Sequence, residues 1–501
     1  MIAFIANVGN RDIVLNIGSD DSPLFLAFDK GEEGSELCKF LGCPGGGARA
    51  LGTHVRERLA ELRPRLAFPI LGRALEFALQ AAGRLDLALL LGTDQPMSAG
   101  THRRADTIES ARVLQACLAE TYKDLIARIE VQAVSANPSL HDAAFLVVGG
   151  ILRNSVPPVD AATVFVAVKG GVPAMNAALR EQGIGLYGAK LRLIDVQEPE
   201  ERLAGLPGAA TFRPTWPFRR EVILRLAGTL LSRSDYEGLR LLLESEGICD
   251  PAIIAMLRHA HARLNLDFDT AAQTLDGSRT GRAAQWRTSA ASAWSLQRLV
   301  DVRHAAQISL ERQDFVGFLA RVATFCENSR RQLAFALTGL RIEANLPPSA
   351  VTNAALRRCL SGRKGLALVG GAGSPWRADR PLFNAVVAWY LTQRADKDVG
   401  DRVHEVQEQL GHIGSLEKLR HETLHLMRGV GSSDIEGALP SALSAFATIT
   451  KAVLDALLSI ERMLGAPEPV VVEVYRDLNE AVLASLEAYS PDELQGPLPC
   501  S

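Results

Sequence analysis

The sequence lacks the features that mark secreted, zinc-ribbon and membrane proteins. Its seven cysteines contain no C-x-x-C pair, so we expect reduced thiols rather than a disulfide frame. No apolar run approaches the roughly 18 residues that a membrane span requires. The apolar start of the chain has neither the basic flank nor the cleavage site of a signal peptide. We therefore expect a cytoplasmic protein without a membrane partner.

The chain also lacks an excess of charge. Its formal net charge is -3 over 501 residues, which gives no general attraction to nucleic acid, so any RNA contact must come from a local patch. Two common nucleotide motifs are missing as well. No G-x-G-x-x-G follows the first predicted strand, and no GK[ST] follows the glycines of Gly365 to Gly373, where a structural turn is expected. These absences argue against a dehydrogenase and a P-loop enzyme.

Alternating strands and helices in the first 200 residues predict an α/β domain with a doubly wound, mostly parallel sheet. Short apolar runs predict the strands, with helical periodicity between most of them. These strands are Ile2 to Val8, Leu85 to Leu91, Ile129 to Val134, Thr163 to Val168 and Leu191 to Val196. The proline-containing stretch from Leu206 to Pro217 is predicted to be a linker. Beyond it the periodicity is almost entirely helical, and no sheet is predicted there.

Polar and glycine-rich loops follow the predicted strands, at the edge where ligands bind in such sheets. The segment Lys169-Gly170-Gly171-Val172-Pro173 follows a strand and opens a helix, so its amides could approach a phosphate. Asn10, Thr93, Asp94 and Asn137 offer groups that could read a base or a ribose. A plain strand-to-helix turn is the alternative interpretation of this loop.

The order of these motifs resembles the CARF domain, the Rossmann-like sensor of CRISPR ancillary proteins. The resemblance rests on IANVGNRD, THRRADT, the Asn137-Pro138 turn and KGGVPAM, and it covers roughly the first 205 residues. Val172 stands where the family commonly has threonine. The resemblance implies a homodimeric domain that binds a cyclic oligoadenylate across its two-fold axis. The ligand-facing residues that we predict are Gly9, Asn10, Arg11, Thr93, Asp94, Asn137, Lys169, Gly170, Gly171, Pro173 and Met175.

The stretch from Leu416 to Met427, LEKLRHETLHLM, contains two overlapping chemical signatures. His421-Glu422-Thr423-Leu424-His425 is H-E-x-x-H, in which both histidines share one helix face, as zinc requires. Lys418 places a charged side chain at a position that is usually apolar in zinc proteases. Arg428 stands where the extended motif has glycine. Glu436 is the only candidate for a third ligand that we identify. A zinc metallohydrolase is therefore an alternative rather than the favoured interpretation.

The same stretch resembles the HEPN ribonuclease motif, in which an arginine and a polar residue precede a histidine. Arg420 and His425 lie about 140° apart on an ideal helix, so one helix cannot close a site around one phosphate. Two copies that face each other across a dimer axis could, and the family builds its site in this way. The resemblance implies metal-independent RNA cleavage by the 2′-OH, with His425 as general acid or base. Arg420 would hold the scissile phosphate, and His421 would assist.

Together, the two resemblances imply a homodimeric CARF–HEPN endoribonuclease of type III CRISPR defence, allosterically activated by cyclic tetra- or hexa-adenylate. Its substrate would be single-stranded RNA, and it would need no cofactor. The predicted domains are a CARF-like sensor (1–205), a linker (206–217), a helical connecting region (218–340) and a HEPN-like ribonuclease domain (341–501). Two alternatives stay open: the zinc metallohydrolase, and a non-catalytic CARF-type sensor or regulator whose helical half only binds partners.

Overall fold

The structure is a computed structural model of the chain. It describes residues 1–19, 23–28, 31–43, 47–197, 208–275, 281–291, 296–342, 345–363, 366, 374–393, 397–426, 429–438, 446–464 and 474–490. The chain divides into two compact units. The first comprises Met1–Ile223 and Leu243–Ile248, and the second comprises Leu224–Leu242 and Cys249–Tyr489.

The first unit is built on a six-stranded sheet. Its strands are β1 (Ile2–Asn7), β5 (Leu87–Thr93), β6 (Ile129–Val134), β7 (Thr163–Ala167), β8 (Leu191–Val196) and β9 (Ala210–Arg213), in the order β6-β5-β1-β7-β8-β9. The first five are parallel, and β9 runs antiparallel to β8. Parallel strands covered on both faces are continuously apolar, and all seven residues of β5 are buried. The predicted doubly wound, mostly parallel sheet is confirmed.

Two hydrophobic cores, one on each face of the sheet, hold helices against it. Phe4 and Leu90 belong to one core, whereas their neighbours Ile5 and Leu89 belong to the other, because successive side chains of a strand point to opposite faces. A small antiparallel sheet contains β2 (Val14–Asn16), β3 (Phe25–Ala27) and β4 (Leu66–Ala67). The helices are α1 (Glu32–Leu41), α2 (Ala48–Glu57), α3 (Leu59–Leu62), α4 (Leu71–Ala82), α5 (Ile108–Thr121), α6 (His141–Ser155) and α7 (Pro173–Tyr187).

Part of the predicted linker, residues 206–217, belongs to this sheet. In β9, Phe212 pairs with Ile194 of β8, and its ring lies 4.7 Å from that of Phe77. Pro214 and Pro217 suggested a linker, but a proline beside an edge strand removes no hydrogen bond from the ladder. Residues 210–213 are therefore strand and not linker. The other predicted domain bounds, including the one near residue 340, stay predictions.

The second unit is predominantly helical. Its longest helix, α14, packs against α13, α16 and α18. α8 and α9 each include residues of both units. The helices are α8 (Trp216–Ser232), α9 (Tyr236–Ser245), α10 (Pro251–Leu264), α11 (Phe268–Thr274), α12 (Gly281–Ala291), α13 (Leu296–Glu311), α14 (Phe315–Thr338), α15 (Ala354–Gly362), α16 (Arg380–Gln393), α17 (Lys397–His412), α18 (Gly414–Leu426), α19 (Ser432–Ala438), α20 (Phe446–Met463) and α21 (Val474–Ala488). Among the described helices, none combines the length and hydrophobicity that crossing a bilayer requires.

One prediction for this unit was wrong, because the helices enclose a short strand pair. β10 (Asn345–Leu346) and β11 (Trp376–Arg377) are antiparallel, and Leu346 and Trp376 are both buried. Two-residue strands are too short to produce an alternating pattern in the sequence. The predicted turn at Gly365 to Gly373 lies, except for Leu366, outside the described residues.

A buried polar cluster links α10 and α13 in this unit. Arg263 and Asp301 form an ion pair (Nη2–Oδ2, 2.9 Å), and both side chains are fully buried. His259 Nε2 lies 3.5 Å from Arg263 Nη1, and His304 contacts the ring of Tyr475 edge-on. Burial lowers the pKa of His259 to about 4 and that of His304 to about 3. Both histidines are therefore neutral in the folded protein near neutral pH.

We expect the protein to lose stability as the pH falls from about 6.5 towards 4. In this window an unfolded histidine takes up a proton, whereas folded His259 and His304 do not, so acid favours the unfolded state. Each unit of pKa shift corresponds to about 1.4 kcal/mol. Between roughly pH 7 and 4.5, the free energy of unfolding should therefore fall by about 2–3 kcal/mol less in His304→Phe than in wild type. Urea unfolding at both pH values measures this. The exposed His404→Gln should behave as wild type, and an unchanged pH slope in His304→Phe would contradict the assignment.

Candidate functional site

A pocket of about 800 Å³ lies at the carboxyl edge of the sheet in the first unit. From β1 the sheet continues to β5 on one side, and from β7 it continues to β8 on the other side. The topological switch point, where open α/β sheets bind ligands, therefore lies between β1 and β7. The volume is within the range of small-molecule sites. Nine of the eleven predicted ligand residues line this pocket: Gly9, Asn10, Arg11, Thr93, Asn137, Lys169, Gly170, Gly171 and Pro173.

The loops after β1 and β7 interlock so closely that only glycine fits. A methyl group on Gly9 would lie 2.0 Å from Gly171 N, and one on Gly171 would lie 2.1 Å from Asn7 Nδ2. Gly170 and Gly171 also have φ angles of 87° and 65°, a region that glycine adopts without strain. The buried carboxylate of Asp12 accepts a hydrogen bond from Gly9 N at 2.5 Å. These contacts fix the backbone that faces the pocket.

The N-terminal turn of α7 forms one wall. Pro173 is its first residue and lines the pocket, so the positive end of the helix lies at the pocket, as in many anion sites. No side chain caps the first amides. Asn176 Nδ2 donates to Gly170 O, and its Oδ1 accepts from Asn7 Nδ2 at 3.3 Å. Asn176 therefore ties the glycine loop to both β1 and α7.

Positively charged side chains predominate in the pocket. Two acidic residues of the lining have polar partners: Asp195 accepts from Arg213 Nε at 2.7 Å, and Asp106 accepts from the backbone N–H of Gln95 at 2.8 Å. The cationic lining residues are Arg11, Lys169, Arg180 and Arg213. Such a lining attracts anions, and guanidinium groups and helix termini both suit phosphate.

Two predicted ligand residues do not line the pocket. Met175 is fully buried in the core beneath the sheet. Asp94 pairs with Arg49 and, at 3.7 Å, with Arg103. Thr93 does line the pocket, but its hydroxyl accepts from Thr107 N at 2.9 Å. That hydroxyl therefore helps to hold the end of β5 in place.

Sequence reasoning missed several residues that line the pocket. Asn176 and Arg180 are one turn apart on α7 and thus share a face, which the helical pattern after KGG could have indicated. Arg213 and Phe218 lie in or beside the predicted linker, and Arg180 stacks over the Phe218 ring at 5.5 Å. No local signal marks this pair, because the contact joins residues 38 positions apart in the sequence.

The second predicted site lies on α18. Leu416, Leu419 and Thr423 form its buried face, at the spacing of one helical stripe. Arg420 lies half-buried at the border of that face, and His421 is exposed. Arg420 Nε is buried and has no hydrogen-bond partner among the described residues. His425 belongs to α18, but its side chain lies outside the described part of the chain.

Glu417, one turn before Arg420, anchors α18 to its neighbours. Its Oε1 accepts from Arg330 Nη1 of α14 at 2.8 Å, and its Oε2 lies 3.9 Å from Arg380 Nη1 of α16. Burial, followed by the charge of Glu417, raises the pKa of the Cys326 thiol, which hydrogen-bonds to that carboxylate. This network fixes α18, and therefore the backbone of Arg420 and His425, against the helical core.

The described residues contain no group of three or more His, Cys, Asp or Glu side chains that could hold a metal ion. The side chains of Glu422 and His425 are outside the described part, so the H-E-x-x-H hypothesis is not tested by this finding.

The fold and these sites define a class of protein that joins a Rossmann-like unit with a cationic pocket to a helical unit. No protein-family model matches the chain, and no curated protein matches it. Among solved structures, it is similar to Enterococcus italicus Csm6 bound to cyclic hexa-2′-fluoro-hexa-dAMP. The identity is 14%, the TM-score is 0.55, and the match covers 97% of this chain and 99% of that chain. The predicted fold, a Rossmann-like α/β unit followed by a helical unit, is therefore confirmed.

Proposed function

We propose that this protein is a metal-independent endoribonuclease of type III CRISPR defence that cuts single-stranded RNA when a cyclic oligoadenylate binds its first unit. The observation that carries the proposal is the cationic, glycine-lined pocket at the switch point of the sheet. It occurs in a fold shared over nearly the whole chain with a Csm6 that was solved with a cyclic adenylate analogue. The six described cysteines are free thiols, and the protein would act in the cytoplasm, where thiols stay reduced.

The activator would bind through phosphates and bases. Its phosphates would face Arg11, Lys169 and the amides at the start of α7, whereas Asn10 and Asn137 would contact bases or riboses. Cyclic tetra- and hexa-adenylate both have the two-fold symmetry that a pocket pair in a homodimer requires. Activation would follow if the ligand binds one arrangement of the dimer more tightly than the other.

The RNA would be cut by its own 2′-OH. His425 would remove the 2′-OH proton as base or protonate the leaving 5′-oxygen as acid, and an unperturbed imidazole with a pKa of about 6.5 suits both steps. The attack would form a P–O bond to the 2′-oxygen and break the bond to the 5′-oxygen, leaving a 2′,3′-cyclic phosphate. Arg420 would stabilise the charge on the phosphate, and His421 would assist. Because residues 420 and 425 diverge by about 140° on a helix, the site would need α18 of a second subunit.

The test is cleavage of labelled single-stranded RNA in EDTA, with cyclic tetra-adenylate or cyclic hexa-adenylate added in turn. We expect cleavage with one of them, little without activator, and none of the corresponding DNA, which has no 2′-OH. Activity that EDTA abolishes and stoichiometric zinc restores would replace this proposal by the H-E-x-x-H metallohydrolase. Activator binding without any cleavage would favour the non-catalytic regulator.

A further inference from the structure

The helical unit contains a second polar cavity, which neither sequence motif involves. It has a volume of about 400 Å³ and lies between α14, α16 and α17, with residue 363 at its edge. Its polar lining residues, which we call the arginine pocket, are Arg330, Arg363, Arg380, Asn384 and Gln407. We propose that the arginine pocket binds a phosphate of the RNA strand that the α18 site cuts. The inference rests on the proposed function, which it extends to substrate positioning.

Arg330 is the most informative of these residues. Only 9% of it is exposed, and its Nη1 donates to Glu417 Oε1 at 2.8 Å. Its Nη2 is buried and has no hydrogen-bond partner among the described residues. A buried guanidinium N–H without an acceptor costs stability, and native proteins keep such groups chiefly where a ligand or water supplies the acceptor. An anion in the arginine pocket would supply it.

The charge of the pocket favours an anion. Three guanidinium groups approach the cavity, and its described lining contains no acidic side chain. Among the described residues, Glu417 is the carboxylate that pairs with these arginines, and it contacts both Arg330 and Arg380. One carboxylate against three arginines leaves an excess of two positive charges. Guanidinium forks match the oxygen spacing of phosphate, and the Asn384 and Gln407 amides can donate as well.

The position of the pocket favours a phosphate of the substrate RNA as its ligand. Glu417 connects two arginines of the pocket directly to α18, one turn before Arg420. His425 lies eight residues after Glu417, which is about 12 Å along the helix axis. A strand held with one phosphate at Arg420 would thus carry a nearby phosphate within reach of the arginine pocket. A charged guide of this kind is typical of proteins that bind single strands.

The experiment measures RNA affinity separately from cleavage. The protein carries His425→Ala, so that the RNA stays intact, and the dissociation constant of a fluorescent single strand of about 20 nucleotides is measured over a series of salt concentrations. The test variant adds Arg363→Gln and Arg380→Gln, two exposed arginines of the pocket. The matched control adds Arg358→Gln and Arg402→Gln, two exposed arginines that are not among its lining residues.

We expect the test variant to bind RNA about tenfold more weakly near 0.1 M salt. The slope of log affinity against log salt should fall by about 0.7, the value for one phosphate contact on a single strand. The control should keep the slope of the parent. Equal slopes in all three proteins, or equal losses in test and control, would overturn the proposal. Arg363→Gln alone provides a milder variant with the same expected direction, should the double substitution impair folding.

The two proposals fail in different ways. If the chain with His425 intact cuts RNA and the pocket substitutions change neither slope nor KM, the nuclease stands and the arginine pocket is not a substrate site. If no activator induces cleavage but the slope falls as expected, the pocket binds RNA and the nuclease assignment is wrong.

Discussion

Replacing His425 by alanine should reduce activator-dependent RNA cleavage by about 10²–10⁴-fold, the usual contribution of a general acid or base. Arg420→Ala should have an effect of similar order, because it removes the cation that offsets charge in the transition state. Neither substitution should weaken activator binding, since the pocket of the first unit contains neither residue. Initial rates of cleavage at saturating activator measure the loss, and calorimetry checks that the activator still binds.

His404→Ala is the matched control, because His404 is an exposed histidine on the neighbouring helix α17. Mixed subunits then test the need for two copies of α18. In an equal mixture of wild-type subunits and subunits carrying Arg420→Ala and His425→Ala, exchange should leave about one quarter of the activity if both copies are needed, and about half if each subunit acts alone. Full cleavage by either single variant would exclude this residue assignment.

Most residues of the pocket in the first unit were predictable because their signals are local in the sequence. Most of the predicted strand Leu85 to Leu91 lies in β5, which is buried on both faces, and such a continuous apolar run indicates a central parallel strand. The KGG segment could be recognised in the sequence because glycine tolerates both the positive φ angles of residues 170 and 171 and the close approach of Gly9. Because ligands bind at the switch point of such sheets, the loops after β1 and β7 are expected to lie next to each other. Nine of the eleven predicted residues therefore share one pocket.

The other features of the two sites were not predictable, because they depend on side-chain direction and on partners that are distant in the sequence. Met175 follows Pro173 by two positions on α7, and a helix turns by about 200° over that distance, so Met175 points into the core while Pro173 lines the pocket. Asp94 was predicted to contact ligand, but it pairs with Arg49, 45 residues earlier. The arginine pocket collects its side chains from separate helices, and no spacing in the sequence could reveal it. Such features depend on tertiary packing, which local periodicity does not determine.

The double substitution Arg11→Gln and Lys169→Gln should weaken activator binding by roughly 10²–10⁴-fold. A hydrogen bond to a charged group contributes about 1.5–3 kcal/mol, and each 1.4 kcal/mol is about tenfold in affinity. Both side chains line the pocket, and neither is fully buried, so the fold should survive. The maximal cleavage rate should stay near that of wild type, because the α18 site is unchanged, and only the activator concentration for half-maximal rate should rise.

Lys123→Gln controls for the loss of positive charge, because Lys123 is exposed between α5 and β6, at the opposite edge of the sheet. It should leave both binding and activation unchanged. Calorimetry separates binding from the rate of cleavage: a variant with normal affinity and a lower maximal rate would place Arg11 and Lys169 in signal transmission rather than in ligand contact. Unchanged affinity with unchanged activation would show that the activator does not bind in this pocket. A phosphate bound there must lie close to these cations, so their loss must weaken its binding.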